Sequence, residues 1–268
     1  MVLDQETLRK VQLKELDILL EVKRICEKHQ IRYQLAGGTL LGAIRHKGFI
    51  PWDDDIDITM LREDYERFLE IAPREISPEC YVESSRANPD YVYSFCKVKA
   101  NGTTFIEQCT SNLGIHPGVW IDIFPLDDIP EVDYSVLDKR DAQIRRWQTA
   151  VDYNAGVITL KKPLSIFYFK LLGVLNRHKL MYRKERVMQK ANSKDGQFVI
   201  DYSCPYGYRK TIFPVSLYRD LIEVEFEGHM FSVVRDYDRV LTQFYGDYMQ
   251  LPPVEKRVSE HGIIRCEV

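Results

Sequence analysis

Long apolar runs are missing from this 268-residue chain. Its most hydrophobic stretch, residues 164–175, is interrupted by Lys170 and falls well short of the roughly 20 apolar residues a spanning helix needs. The N-terminus has no secretory signal pattern. The six cysteines, at 26, 80, 96, 109, 204 and 266, form neither a Cys-x-x-Cys pair nor a zinc-finger spacing. These absences argue against a membrane-embedded protein, a disulfide-stapled secreted domain and a structural zinc module, and a reduced, cytoplasmic enzyme is expected instead. Internal repeats, low-complexity tracts and disordered linkers are lacking, as are a Walker motif and a full dinucleotide fingerprint. Nucleic acid is not expected as a partner, because the basic residues gather in one segment and no recognition motif accompanies them. With 45% hydrophobic and 29% charged residues, the chain can bury one large core, or a core plus an added lobe.

What is present concentrates at Trp52-Asp53-Asp54-Asp55-Ile56-Asp57-Ile58. Aspartate is depleted in strands, yet here carboxylates alternate with Ile56, Ile58 and Met60 in a run that reads as a half-buried strand. On an extended strand Asp53, Asp55 and Asp57 share one face, about 7 Å apart, and Asp54 points to the other. A bound cation is the simplest reason for the cluster. Mg²⁺ fits, because it is held by one or two carboxylates together with phosphate oxygens of a substrate. A calcium-binding EF-hand needs Gly at its sixth position and Glu at its twelfth, where this chain has Ile58 and Asp64. A plain acidic surface turn does not account for the alternating isoleucines.

A second strand-like run, Gly118 to Phe124, sets Val119, Ile121 and Ile123 on one face and Asp122 as the single charge on the other. Laid beside the first strand, it brings Asp122 within about 5 Å of Asp55 or Asp57. Upstream, Gly37-Gly38-Thr39 offers a turn whose bare backbone can approach a phosphate, with the Thr39 hydroxyl as a further donor; an ordinary tight turn is the alternative. Arg45, and Lys97 with Lys99 on one strand face, are candidates to neutralise a diphosphate, or else solvated surface charges.

Periodicity gives an α/β (α+β) organisation. An amphipathic helix fills the first 28 or so residues. A strand over Ile31, Tyr33 and Leu35 delivers the glycine turn, and a helix from Leu61 to Ala72 is stopped by Pro73. Strands follow over 91–99 and 103–108. Residues 135–192 are mostly helical, and a hairpin from Ile222 to Val234 turns near Glu227-Gly228. A last helix through Val240, Leu241 and Phe244 is capped by Gly246. The division expected is a catalytic core over 1–134, a helical basic insertion over 135–195, and a C-terminal α/β portion over 196–268 packing on the core. Between Lys161 and Lys190 nine basic residues stand against Glu185 alone, a segment suited to an anionic membrane surface or a phosphate-rich polymer, or to a solvated helix face.

Leu35-Ala36-Gly37-Gly38-Thr39-Leu40-Leu41-Gly42-Ala43-Ile44-Arg45-His46, followed by Gly48-Phe49-Ile50-Pro51-Trp52 and the aspartates, closely resembles the signature of the LicD family of phosphocholine transferases, shared with the fukutin-related proteins. The likeness covers residues 31–72, returns at Trp120 to Asp127, and closes with Tyr245-Gly246-Asp247-Tyr248-Met249, Leu251-Pro252-Pro253, Arg257 and His261. The resemblance implies a nucleotidyltransferase-like mixed sheet flanked by helices, with Asp55, Asp57 and Asp122 as the catalytic and Mg²⁺-binding triad, joined by Asp53. Gly37, Gly38, Thr39, Arg45, Lys97, Lys99 and His261 are then substrate-binding residues. It further implies CDP-choline as donor and a sugar hydroxyl of a teichoic acid or lipopolysaccharide as acceptor, with choline met by aromatic faces; Trp52 and Trp120 stand next to the carboxylates. Transfer of another CDP-linked alditol or ethanolamine phosphate, nucleotidyl transfer, and a non-catalytic glycan- or choline-binding module are the alternatives. The expected location is cytoplasmic, peripheral at the inner face of the membrane through 161–190.

Overall fold

The computed structural model describes residues 3–159, 161, 163–172, 176–192, 196–259 and 261–268. Helix α1 (Gln5–His29) is capped by Asp4, whose carboxylate accepts from the Thr7 N–H at 2.7 Å, and its Val11, Ile18, Leu19, Val22 and Ile25 are fully buried. Strand β1 (Gln34–Leu35) is shorter than the alternation suggests. Helix α2 (Gly37–His46) begins at once, so the glycine pair forms the first helical turn rather than a free turn. Strand β2 (Asp57–Leu61) starts only at Asp57; Asp53 to Ile56 approach it as irregular extended backbone. Helix α3 (Arg62–Glu75) runs two residues past Pro73, since in a last turn the ring costs one backbone bond and leaves the Ile76 N–H free to reach the Ala72 carbonyl at 2.9 Å.

Next come β3 (Cys80–Glu83), which no sequence signal marked, β4 (Cys96–Ala100), β5 (Thr104–Glu107) and β6 (Trp120–Ile129). The expected strand over 91–99 is paired only from Cys96. Helices α4 (Tyr134–Asn154), α5 (Pro163–Leu172) and α6 (Arg177–Met188) precede β7 (Phe198–Ile200), β8 (Phe213–Pro214) and the short α7 (Val215–Arg219). The hairpin β9 (Leu221–Phe226) and β10 (His229–Val234) turns on Glu227 and Gly228, both at positive φ, as a two-residue type I′ turn requires. Helix α8 (Tyr237–Tyr245) ends on Gly246 at φ 69°, and β11 (Ile263–Glu267) pairs with β5.

Among the described residues seven strands make one mixed sheet in the order β1-β2-β6-β4-β3, with β7 on the far half of β6 and β8 beside it. Register brings three charged side chains together. The parallel pair β2 and β6 sets Asp57 opposite Asp122, and the antiparallel pair β4 and β6 sets Lys97 opposite the same Asp122.

One apolar core joins both ends of the chain: Leu19, Ile58 and Ile121 share it with Val199, Phe213, Phe231, Val240 and Ile263. Helices α4 and α6 build two smaller clusters, around Ile144 with Met188 and around Val151 with Leu180. The basic segment is less exposed than its composition suggests. Lys184 is buried against Gln148, and Arg177 bonds Asp90 at 2.6 Å. Arg183 and Arg186 are exposed, as are Leu164, Phe167 and Leu171 on α5; Lys162 lies outside the described residues.

Candidate active site

Helix α2 opens against the aspartate loop. A side chain on Gly37 would stand 2.8 Å from Asp57 Oδ2, and one on Gly38 2.6 Å from Asp53 Oδ2, so only glycine lets the two carboxylates crowd this first turn. Gly37 also holds φ +52°. The partial positive charge of a helix N-terminus favours such anionic neighbours. Thr39 does not reach into solvent: its Oγ1 accepts the Asp57 N–H at 2.8 Å, and the Ala36 N–H donates to the Asp57 carbonyl at 3.0 Å. Two bonds therefore fix the backbone of the residue that faces Asp122.

Burial dominates the electrostatics. It lifts Asp53 and Asp57 well above the ordinary carboxylate range, with the charge of Asp55 adding to both, and lifts Asp55 to about 6 against the opposing pull of His261. Asp122 is raised as well, chiefly by burial, although Lys97 opposes it with Nζ 2.7 and 3.0 Å from the two carboxylate oxygens. Clustered carboxylates raised in this way want a cation. Asp53, Asp54 and Asp55 each place an oxygen within 4.8 Å of the others, and the all-oxygen donor set of Asp53, Asp55 and Asp57 has the hard character Mg²⁺ takes.

The residues expected at the site separate into two groups. Asp53, Asp55, Asp57, Gly37, Gly38 and His261 line one pocket of about 320 Å³. Asp122 stands beside Asp57 in register but is held by Lys97. The Lys97 ammonium lies 4.3 Å from the centre of the Trp120 ring, so both groups are already engaged with each other. Lys99 turns away to Glu83, at 2.8 Å, and to the His116 carbonyl, at 2.5 Å. Arg45 donates to the Tyr248 carbonyl at 2.7 Å and ties α2 to the C-terminal segment. Thr39, Arg45, Lys97, Lys99 and Asp122 are not among the described residues lining the pocket.

Alternation places Asp54 on the opposite strand face, out of play; the structure corrects this, because the backbone before Asp57 is not a strand. Asp54 is 1% exposed, accepts from Ser259 Oγ at 2.5 Å, and bonds His261 Nδ1 at 2.9 Å. The other ring nitrogen of His261 stands 3.9 Å from Asp55 Oδ2. Burial pulls His261 down, but the bond to Asp54 and the charges of Asp55 and Asp54 outweigh it and lift the imidazole to about 10, so a fixed cation faces the cluster at neutral pH. Glu15 of α1 was equally invisible in the sequence. It is 1% exposed with neither oxygen hydrogen-bonded, and burial, reinforced by Asp55, Asp54, Asp53 and Asp122, drives it well above the carboxylate range. Nearby, Gln12 donates to the Asp53 carbonyl at 2.9 Å.

The sequence pattern described as LicD/FKTN/FKRP, nucleotidyltransferase domain, matches residues 30–150. The lipopolysaccharide cholinephosphotransferase LicD of Haemophilus influenzae is 34% identical over 265 residues, 95% of this chain and 96% of that protein. Ribitol 5-phosphate transferase FKRP of Homo sapiens is 50% identical over 40 residues, 15% of this chain and 8% of that protein. Likeness over nearly the whole length, on a sheet that sets Asp57 beside Asp122, carries the assignment: the chain belongs to the LicD family and is an enzyme of the transferase class.

Proposed function

We propose that this protein transfers phosphocholine from CDP-choline to a hydroxyl of a cell-surface glycan and releases CMP. The observation that carries the reading is the aspartate cluster packed against the first turn of α2 and open to one pocket, in a chain 34% identical to a lipopolysaccharide cholinephosphotransferase. That relative's name favours a lipopolysaccharide acceptor over a teichoic acid.

Asp53, Asp55 and Asp57 are the residues that would hold Mg²⁺, with Asp122 completing the set. Bound there, the ion would neutralise the diphosphate and orient it for in-line attack. The chain's own groups do the rest. The first-turn amides of α2 present positive charge to phosphate oxygens. The acceptor oxygen forms its bond to the choline-bearing phosphorus while the bond from that phosphorus to the bridging oxygen breaks, and CMP departs with the electron pair. Asp122, raised by burial and kept in place by Lys97, takes the hydroxyl proton. His261 carries positive charge beside Asp55, where negative charge builds on the leaving group.

The test is product analysis. CDP-choline with an acceptor glycan should yield CMP and modified glycan, and CTP should yield no pyrophosphate. Asp55→Asn and Asp57→Asn should each lower transfer by about 10²-fold or more while melting like the wild type, and excess chelator should do the same. Pyrophosphate release, or full turnover in chelator, refutes the reading. Residues 161–190 are proposed to meet the membrane on which a lipid-linked acceptor sits, on the strength of exposed Leu164, Phe167 and Leu171 on α5 and exposed Arg183 and Arg186 on α6.

A further inference from the structure

The pocket has a wall that the carboxylate chemistry does not use. Besides the aspartates, it is lined by Tyr206, Phe244 and Tyr245, with Asp201 and Tyr218 close by. All five lie beyond residues 30–150, the part matched by the family's nucleotidyltransferase pattern. Of the tryptophans nearest the aspartates, Trp120 has the Lys97 ammonium 4.3 Å from its ring centre and is not among the described residues lining this pocket, whereas Trp52 lines it, with Arg257 5.5 Å from its ring centre.

The three rings pack edge to face and tilted on one another, and all three line the pocket. Tyr206 stands at 75° to Phe244 with centroids 6.2 Å apart, and at 81° to Tyr245 with centroids 6.4 Å apart. An aromatic wall of this kind can hold a bulky cation against a ring face, within about 6 Å of a ring centre. Charge agrees with shape. Asp201 is 7% exposed, with its Oδ1 accepting the Ser203 N–H at 2.7 Å, and it puts a buried carboxyl into the same wall. Tyr245 lines the same pocket as Asp53, Asp55 and Asp57, so the aromatic wall and the aspartate cluster face one space. The surroundings already favour cations, since Lys210 Nζ lies 5.6 Å from the centre of the Tyr206 ring.

We infer that Tyr206, Phe244 and Tyr245 form the subsite for the donor's quaternary ammonium, and that these residues set the enzyme's preference for a trimethylated head group. The inference rests on the phosphocholine reading and names the site that would enforce it. Aromatic faces reward a bulky, weakly hydrated cation, whereas a primary ammonium wants hydrogen-bond acceptors that rings do not supply.

The experiment compares kcat/KM for CDP-choline and CDP-ethanolamine in wild type, Tyr206→Leu, Phe244→Leu and Tyr206→Phe, with CMP as a competitive inhibitor of each. Either leucine variant should lower the choline-to-ethanolamine ratio about tenfold, the loss of one favourable ring. Inhibition by CMP should weaken less than twofold, and Tyr206→Phe should restore the ratio. Tyr206 is 55% exposed, so its variants are spared the folding risk that Phe244 carries through its stacking on Phe213. An unchanged ratio in Tyr206→Leu overturns the subsite while leaving phosphocholine transfer standing. Equal loss of CMP inhibition and choline turnover also overturns it, because the rings would then be holding the nucleobase. Failure of the wild type to release CMP from CDP-choline overturns both readings.

Discussion

Asp54 offers the sharpest test, because strand alternation makes it dispensable and the structure makes it a clamp. Its carboxylate holds Ser259 at 2.5 Å and His261 at 2.9 Å, joining the aspartate loop to the C-terminal segment. Asp54→Asn keeps the shape and removes the charge. The imidazolium of His261 then keeps Asp55, at 3.9 Å, and the charge of Glu107. A hydrogen bond to a charged group contributes about 1.5–3 kcal/mol, and with Asp54 fully buried the upper half of that range applies. For a domain of this size, about 2–3 kcal/mol corresponds to a melting temperature lower by roughly 4–12 °C. The pH dependence adds a second readout. The folded pKa of His261, about 10, lies above its ordinary 6.5, so the pair's contribution is whole below about pH 6.5 and is lost as pH rises through about 10. Melting curves of wild type and variant recorded between pH 6 and 11 should therefore differ most at the acid end and converge at the alkaline end. A variant that melts within about 1 °C of wild type at pH 6.5, or a gap that does not close by pH 11, would refute the clamp.

Two further outcomes follow from named groups. Burial raises Asp201 from 3.8 to about 7, so its presence costs stability above pH 7, and the cost fades as pH falls toward 4; Asp201→Asn should raise the unfolding free energy at pH 8, by an amount on the order of 2–4 kcal/mol, and not at pH 4, a pattern that calorimetry at the two pH values checks. Reversal of the exposed Arg183 and Arg186 to Glu should weaken binding to anionic vesicles at least tenfold, and salt at about 0.1 M, which screens charges beyond ~10 Å, should weaken wild-type binding in the same direction; unchanged co-sedimentation would reduce this face to a solvated one.

The sequence made the fold legible wherever hydrophobic period and a long element coincided. Helix α1, the hairpin turning on Glu227-Gly228 and the helix ending on Gly246 all lie where patterning puts them. β3 escaped notice because four residues with an exposed Tyr81 carry too little alternation, and β1 shrank because Ile31 and Tyr33 are buried by packing rather than by strand pairing. At the site, the pairing of Asp57 with Asp122 was readable from two strand-like runs. Asp54 and Glu15 were not, for separate reasons. Alternation holds only while the backbone is a strand, and Asp54 sits just before it becomes one. Glu15 looks like any helical glutamate until the fold lays α1 behind the aspartates. The partners taken by Lys97 and Lys99 depend on register, which side-chain type alone does not reveal.

The bond between Asp54 and His261 spans 207 positions of the chain, and that distance has a consequence for how activity is born. Closing so long a loop costs on the order of 5 kcal/mol of chain entropy and comes late in folding, because non-local contacts repay their ordering cost only once the elements between them are in place. On the ribosome, at about 5–20 residues per second, the aspartate loop emerges some ten seconds or more before its imidazolium partner. During that interval the nascent core carries its crowded acids without this counter-charge, which arrives only when the C-terminal segment folds back onto the aspartate loop.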